Sequence, residues 1–325
     1  MEYNLLGKTG ISVSSLCLGT MTFGDGADEK VSAEMYALAR DNGINIFDCA
    51  DVYANGESEV LLGKFVSNHR HEVILTTKAY YPTSENINFK GGSRFYLTKA
   101  LDKSLKRLKT EYIDIYYLHS FDENTDLEES LSTLNDFVRQ GKVLYLGLSN
   151  FSSWQAMKAI GICERKNFAP ISCLQPMYNL LKRQCESEIL PMAQNEKLGV
   201  FSYGPLAGGL LTGKYLNKNR NESGRFDTNE MYVSRYADSE VQESLKLFIN
   251  FAKHHNFNPA SLAIAWAKSH PAISATIIGS RNSKQLNSIL NSLNIEMTDE
   301  LRLTISEFTQ RPALATDRSE EIKKA

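Results

Sequence analysis

Eight short apolar runs recur along this chain, each ending in polar residues: Ser15–Gly19, Asn45–Ala50, Glu72–Lys78, Ile113–His119, Leu144–Asn150, Ser172–Tyr178, Val200–Pro205 and Ala275–Gly279. Their length and β-branched content read as buried strands. Between successive runs apolar residues follow the helical period, as in Leu97, Leu101, Leu105 and Leu108, or Trp154, Met157 and Ile160. Eight strand–helix units, with no linker-like stretch to divide them, predict an α/β chain of the (β/α)8 TIM-barrel class, whose usual size is ~250 residues. A single barrel domain over residues 1–325 is expected, with the surplus length in loops and termini.

The surplus falls in identifiable places. Tyr3 to Val13, with Gly7-Lys8-Thr9-Gly10 at its centre, predicts a hairpin that plugs the lower mouth of the barrel. Long polar loops follow the third strand (Tyr80–Gly92) and the seventh (Ala207–Asp238). Both hang on the carboxyl face, where barrels carry their active sites, so they are expected to wall a substrate pocket. Beyond about residue 310 the chain is a polar tail.

Composition narrows the partners. Hydrophobic residues make 42% and charged residues 23%, which excludes a disordered chain. The 36 Lys+Arg nearly cancel 38 Asp+Glu, and without a basic stripe no nucleic acid is expected. No basic start precedes an apolar stretch and no apolar run reaches the ~20 residues of a spanning helix, so neither a signal peptide nor membrane insertion is expected. The five cysteines form no C-x-x-C pair and read as small buried hydrophobes of a reduced, cytoplasmic protein, Cys49 being singled out by its neighbours. The triplets Asn150-Phe151-Ser152 and Asn221-Glu222-Ser223 carry no weight as glycosylation sites without an export signal. His69, His71, His254, His255 and His270 read as solvated positions in helices or at helix ends, and no metal site is expected. An oligomer stays open.

Chemistry gathers at the strand ends. The second run leads through Asp48 to Tyr53, the third ends in Lys78 and the fourth in His119, all on one rim. Charges at the inner end of a parallel strand are costly unless paired, and Asp48 with Lys78 offers the pair. A lysine ~4 Å from Tyr53, at an effective dielectric of ~20, would favour the phenolate by about 4 kcal/mol, roughly three pK units before desolvation. Tyr53 is thus expected to move toward neutrality and to serve as general acid, with His119 donating to the same carbonyl oxygen.

The stretch Gly43-Ile44-Asn45-Ile46-Phe47-Asp48-Cys49-Ala50-Asp51-Val52-Tyr53 resembles the signature of the aldo-keto reductases, including the branch of bacterial general reductases and potassium-channel β subunits. The likeness extends to about Leu293 and includes Gly56-Glu57-Ser58-Glu59, Gly141-Lys142-Val143, Leu146 to Asn150, Gln175-Pro176-Met177-Tyr178-Asn179 and Tyr203 to Tyr215. It implies a catalytic tetrad of Asp48, Tyr53, Lys78 and His119. It also implies NADPH/NADP+ extended across the rim: Ser149, Asn150 and Gln175 near the nicotinamide carboxamide, Tyr203 on its ring, and Gly204, Pro205, Leu206 and Lys214 along the pyrophosphate. Arg281 with Ser280 would hold the 2′-phosphate and Gln285 would approach the adenosine, while Gly19, Thr20, Met21 and Asp48 would complete the cofactor site. Related reductases commonly carry Glu-Asn where this chain has Ser288-Ile289, so contacts to the adenine edge are expected to be forfeited; Cys49 stands for a commoner Thr.

The residues themselves agree on several points. No G-x-G-x-x-G follows a strand, so a dinucleotide would not be held in the Rossmann manner. Gly208 with Gly213-Lys214 mimics a P-loop, but Tyr215 replaces the magnesium-binding hydroxyl. Gly279-Ser280-Arg281 opens the eighth helix with free N–H groups and a guanidinium suited to phosphate. Tyr80, Tyr81 and Phe121 either line an aromatic pocket or simply pack their loops. The leading reading is an NADPH-dependent carbonyl reductase of small aldehydes or ketones. The alternatives are a cofactor-sensing regulatory subunit and a Schiff-base aldolase built on Lys78.

Overall fold

The computed structural model describes residues 1–216 and 224–316. Strands β1 (Tyr3–Leu5) and β2 (Ser12–Ser14) form the expected antiparallel hairpin. Eight parallel strands then close a barrel: β3 (Leu16–Gly19), β4 (Ile46–Asp48), β5 (Ile74–Ala79), β6 (Ile113–Leu118), β7 (Val143–Ser149), β8 (Ile171–Gln175), β9 (Gly199–Ser202) and β10 (Ala275–Ile278). Closure comes from β10, which pairs with both β9 and β3. The apolar runs overshoot some carboxyl ends, by three residues at Tyr178 and Pro205, because the chain leaves the sheet while still burying side chains at the rim.

Helices α1 (Glu29–Asp41), α2 (Glu57–Val66), α3 (Arg94–Leu108), α4 (Leu127–Arg139), α5 (Ser153–Lys166) and α6 (Ile189–Glu196) alternate with the strands. In α3 the side chain of Ser93 caps the Tyr96 amide, and Leu97, Leu101 and Leu108 point into the core as the period requires. Helix α5 forms where expected but turns a different face inward: Ala156, Ala159, Ile162 and Cys163 are buried, whereas Trp154 and Met157 are exposed.

The loop after β5 is irregular, as expected, and is clamped where the Gly92 amide donates to Asp122 at 2.7 Å. The long segment after β9 is not a plain loop. It contains a 3₁₀ turn (Ala207–Thr212) and short helices α7 (Arg225–Thr228) and α8 (Glu230–Arg235) before α9 (Ser239–His254). Helices α10 (Pro259–Lys268), α11 (Ser283–Leu290) and α12 (Asp299–Ser306) complete the shell. Residues 217–223, with the Asn221-Glu222-Ser223 triplet, and the tail from 317 lie outside the described residues. All five cysteines are buried thiols. Two histidines depart from the expected solvated positions: His69 bonds the Tyr36 hydroxyl at 2.6 Å, and His270 is half-buried, burial lowering it to about 4. No described helix is long and apolar enough to cross a membrane.

The hairpin plugs the barrel. Leu6 and Val13 are fully buried and pack inside it with Cys17, Ile46, Ile115, Tyr117, Cys173, Phe201, Ala275 and Ile277. Gly199 at the foot of β9 leaves room for the plug, because a Cβ there would overlap the Leu6 side chain. Gly199→Ala is therefore expected to cost about 1–3 kcal/mol in denaturant unfolding, as overpacking does. In a Leu6→Ala background the same substitution should cost much less, a coupling that a double-mutant cycle reads directly.

Candidate active site

The period of a strand decides which residues face the barrel axis. In β4 the phase that buries Ile46 in the barrel interior also turns Asp48 inward, and in β5 Ile74 shares its phase with Thr76 and Lys78. Tyr117 leads to His119 in the same way, and Cys173 to Gln175. Asp48, Lys78, His119 and Gln175 are all buried at the carboxyl rim.

Asp48 is the hub of this ring. Lys78 Nζ donates to its Oδ2 at 2.6 Å, while Thr76 Oγ1 and Gln175 Nε2 donate to its Oδ1 at 2.7 and 2.8 Å. Lys78 also donates to the Cys49 carbonyl at 2.6 Å. Burial pulls the lysine pKa down, but the Asp48 carboxylate, with Tyr53 and Cys49 adding to it, outweighs that and holds the ammonium above its ordinary value. A lysine held as a cation by its ion pair is poorly suited to the free-amine role of a Schiff-base lysine.

Tyr53 reaches the ring from the loop after β4. Asp51 N–H donates to the Lys78 carbonyl at 3.2 Å, carrying the strand pairing past the last residue of β4. Ala54 (φ 47°), Asn55 (φ 54°) and Gly56 (φ 95°) then turn left-handed in succession and reverse the chain into α2. That reversal leaves the Tyr53 ring 5.2 Å from Lys78 Nζ and edge-on to His119, with ring centres 6.2 Å apart. Burial pushes Tyr53 up to about 12, with Lys78 lowering it and Asp48 raising it. The expected shift toward neutrality is thus overturned, because desolvation outweighs the lysine and Asp48 answers most of its charge. His119 is held well below the usual range by burial and then by Lys78, so its imidazole is neutral and can donate one hydrogen bond.

Residues 15–309 match the model of the aldo/keto reductase family. The chain belongs to that family. It is 36% identical over 325 aligned residues to "Uncharacterized oxidoreductase YrpG" of Bacillus subtilis (strain 168), covering 96% of this chain and 97% of the relative. It is 35% identical over 306 residues to "L-glyceraldehyde 3-phosphate reductase" of Escherichia coli (strain K12), covering 90% and 88%. A likeness of 33% over 325 residues, covering 96% and 98%, links it to "Probable voltage-gated potassium channel subunit beta" of Oryza sativa subsp. japonica.

Around the ring of this aldo/keto reductase lies a rim of preset polar groups. Asn150, left-handed at φ 56°, donates to the His119 carbonyl at 2.8 Å and accepts from the Tyr203 hydroxyl at 2.7 Å. Ser149 donates to the Gln175 carbonyl at 3.0 Å, and the Gln175 amide is spent on Asp48. Gly204, Pro205 and Leu206 follow Tyr203 just past the end of β9, with Gly204 at φ 70°. Gly19 and Thr20 close β3, Thr20 bonding Ser58 at 2.8 Å, and Met21 is exposed beside them.

A line of cations borders that rim. Lys214 reaches the turn at Gly224, Arg225 extends to Met21, and Thr22 donates to the Ser280 carbonyl at 2.7 Å beside Arg281. Gly279 and Arg281 are exposed there, whereas Ser280 is buried with its hydroxyl toward Met35 at 3.0 Å. Gln285 accepts from the Arg281 amide at 3.0 Å. Ile289 is buried in the core, leaving no polar side chain at that position. The donor set, three cations around exposed main chain, suits the phosphates of a dinucleotide.

Three contributors escaped the reading of the sequence. Thr76 shares the inward phase of Lys78, a signal that was there to be used. Arg225 lies in a segment whose path no periodicity reveals. Asp51 is buried under the site, where the Tyr96 hydroxyl donates to it at 2.8 Å. Tyr81 packs edge-on to His119 at 4.8 Å, while Phe121 packs against Phe151 and Trp154. Among the described residues no group of ligating side chains is placed to hold a metal.

Breaking the buried pair from one side should be severe. Lys78→Met leaves Asp48 buried without its cation and is expected to cost about 3–5 kcal/mol in urea unfolding. Adding Asp48→Asn to that variant should recover much of the loss; no recovery would mean that the pair is not what the stability reports.

Proposed function

We propose that this aldo/keto reductase is an NADPH-dependent oxidoreductase that reduces small aldehydes or ketones to alcohols. The observation that carries the reading is a phenol that stays protonated to about 12 beside a neutral, buried imidazole, with a fixed ammonium 5.2 Å from the phenol ring. As a carbonyl becomes an alkoxide it needs a proton and a hydrogen-bond donor. Tyr53 gives the proton, His119 donates to the same oxygen, and Lys78 with Asp48 sets the field in which the phenolate forms. NADPH, when bound, supplies the hydride.

The cofactor is assigned to the rim, with Ser149, Asn150, Gln175 and Tyr203 at the nicotinamide and Gly19, Thr20, Met21 and Asp48 beside it. Gly204, Pro205, Leu206, Lys214 and Arg225 follow the pyrophosphate. Gly279, Ser280, Arg281 and Gln285 take the 2′-phosphate end, Ser280 through its main chain. The relative named for reduction of glyceraldehyde 3-phosphate supports small aldehydes as the substrate class. The complete proton-donor arrangement favours turnover over a purely sensing role.

Tyr53→Phe should lower turnover at least ~100-fold and leave NADPH affinity nearly intact, as loss of a general acid does. Stopped-flow reduction and cofactor fluorescence separate the two effects. Near-normal reduction by the variant would remove Tyr53 from the acid role.

Arg281 sets the cofactor preference. A charge-assisted contact of roughly 1.5–3 kcal/mol gives NADPH about a 10- to 150-fold advantage over NADH. Arg281→Ala should erase most of that advantage while sparing NADH. Fluorescence titration of both cofactors decides it, and equal affinities in the wild type would sink the assignment.

A further inference from the structure

Beneath the loop after β5 lies a buried acid that the reaction does not use. Asp51 is 2% exposed and two residues from Tyr53. Its Oδ2 accepts from the Tyr96 hydroxyl at 2.8 Å, whereas its Oδ1 is sealed from solvent without a hydrogen-bond partner. The same hydroxyl lies 3.1 Å from the Tyr81 carbonyl and 3.5 Å from Thr83 Oγ1, both in the Tyr80–Gly92 segment. Tyr81 is the residue whose ring rests on His119. A phenol has one proton, so Tyr96 cannot serve the carboxylate and the carbonyl together.

We propose that Asp51 and Tyr96 form a proton-set latch on the Tyr80–Gly92 segment, in which protonation of one buried acid decides how firmly Tyr81 is held over His119. Its consequence for substrate binding rests on the reductase reading; the latch itself does not. With Asp51 ionised, the Tyr96 proton is committed to Oδ2 and the Tyr81 carbonyl goes without it. When Asp51 takes a proton from bulk water, its own O–H donates to the Tyr96 oxygen. The Tyr96 proton then turns to the Tyr81 carbonyl and ties the segment down. Asp51 and Tyr96 are positioning residues, since neither touches the reacting atoms.

The surroundings place the switch in the physiological range. Burial raises Asp51 to about 7; the Tyr96 hydrogen bond lowers it, Glu59 raises it and Arg107 lowers it. Arg107 cannot neutralise Asp51 fully because its guanidinium is committed to Glu59, with Nε donating at 2.6 Å, and Glu59 also accepts from Thr77. The Val52 backbone also lowers Asp51, and Tyr116, on β6, faces this acid as a neutral phenol raised well above its ordinary value by burial. The sign follows: the latch is closed below about 7 and opens above it.

The test compares wild type, Asp51→Asn and Tyr96→Phe from acid to alkaline pH. Two readouts are taken: KM and kcat for 4-nitrobenzaldehyde with NADPH, and hydrogen-exchange protection of the Tyr80–Gly92 amides corrected for intrinsic rates. Loss of one hydrogen bond corresponds to about a five-fold change, so wild-type KM should rise about five-fold above neutrality with kcat nearly constant. Protection should fall in parallel. Asp51→Asn, whose amide donates as the protonated acid does, should keep the low KM and high protection at every pH. Tyr96→Phe should show the high KM and low protection throughout. A wild-type pH dependence retained in Asp51→Asn, or protection in the wild type that does not change with pH, overturns the latch. Absence of aldehyde turnover with protection still following Asp51 would instead overturn the reductase reading and leave the latch standing.

Discussion

The ion pair of Asp48 and Lys78 is the constraint around which the rest of the site is arranged. A bare charge at the inner end of a barrel strand would cost several kcal/mol, and only excellent geometry with full hydrogen bonding offsets it. Here the carboxylate is satisfied by donors from two strands besides the partner lysine, Thr76 on β5 and Gln175 from across the barrel on β8. The pair therefore ties β4, β5 and β8 together at one end of the barrel. Burial holds Tyr53 as a protonated phenol against the lowering by Lys78, and Asp48 adds to the upward shift. A proton donor suits a reductase better in that state than a phenol already half ionised.

Local strain serves the same arrangement. Ala54 and Asn55 sit in left-handed conformations before Gly56, a region that costs a residue with a Cβ roughly 1–2 kcal/mol. Three such residues in a row reverse the chain within one turn, so Tyr53 stands at the rim while α2 packs back on the barrel. Thr20 and Ser58 lock that corner from the other side, with Cys49 in contact with Ser58 at 3.2 Å.

The carboxyl-face segments divide the work. The piece after β5 brings the Tyr81 ring against His119, and the Tyr96 hydroxyl below it reaches both Asp51 and the Tyr81 carbonyl. The piece after β9 brings cations to the opposite rim, where Arg225 approaches Met21 and Lys214 lies beside Gly224. One wall thus meets the carbonyl side of the proposed reaction and the other the charged side.

The eight runs and the helical period between them determined the barrel, because the barrel strands are largely buried on both faces and most helices on one, α10 being buried nearly all round. The hairpin was legible in its two glycines and the apolar residues flanking them. Asp48, Lys78 and His119 were legible because inward phase and strand ends follow from local spacing. Other features waited for the tertiary structure. Which face of α5 turns inward was settled only by its packing on the barrel, which buries Ala156, Ala159, Ile162 and Cys163 and leaves Trp154 and Met157 exposed. The acidity of Tyr53 depended on burial and on the position of Asp48 relative to Lys78, which spacing cannot supply. Asp51 and Tyr96 lie 45 residues apart, and only the packing of α3 against the end of β4 brings one hydroxyl between a buried carboxylate and a loop carbonyl. Strand and helix periods are short-range properties of the chain; desolvation and shared protons belong to groups that meet only when the barrel closes.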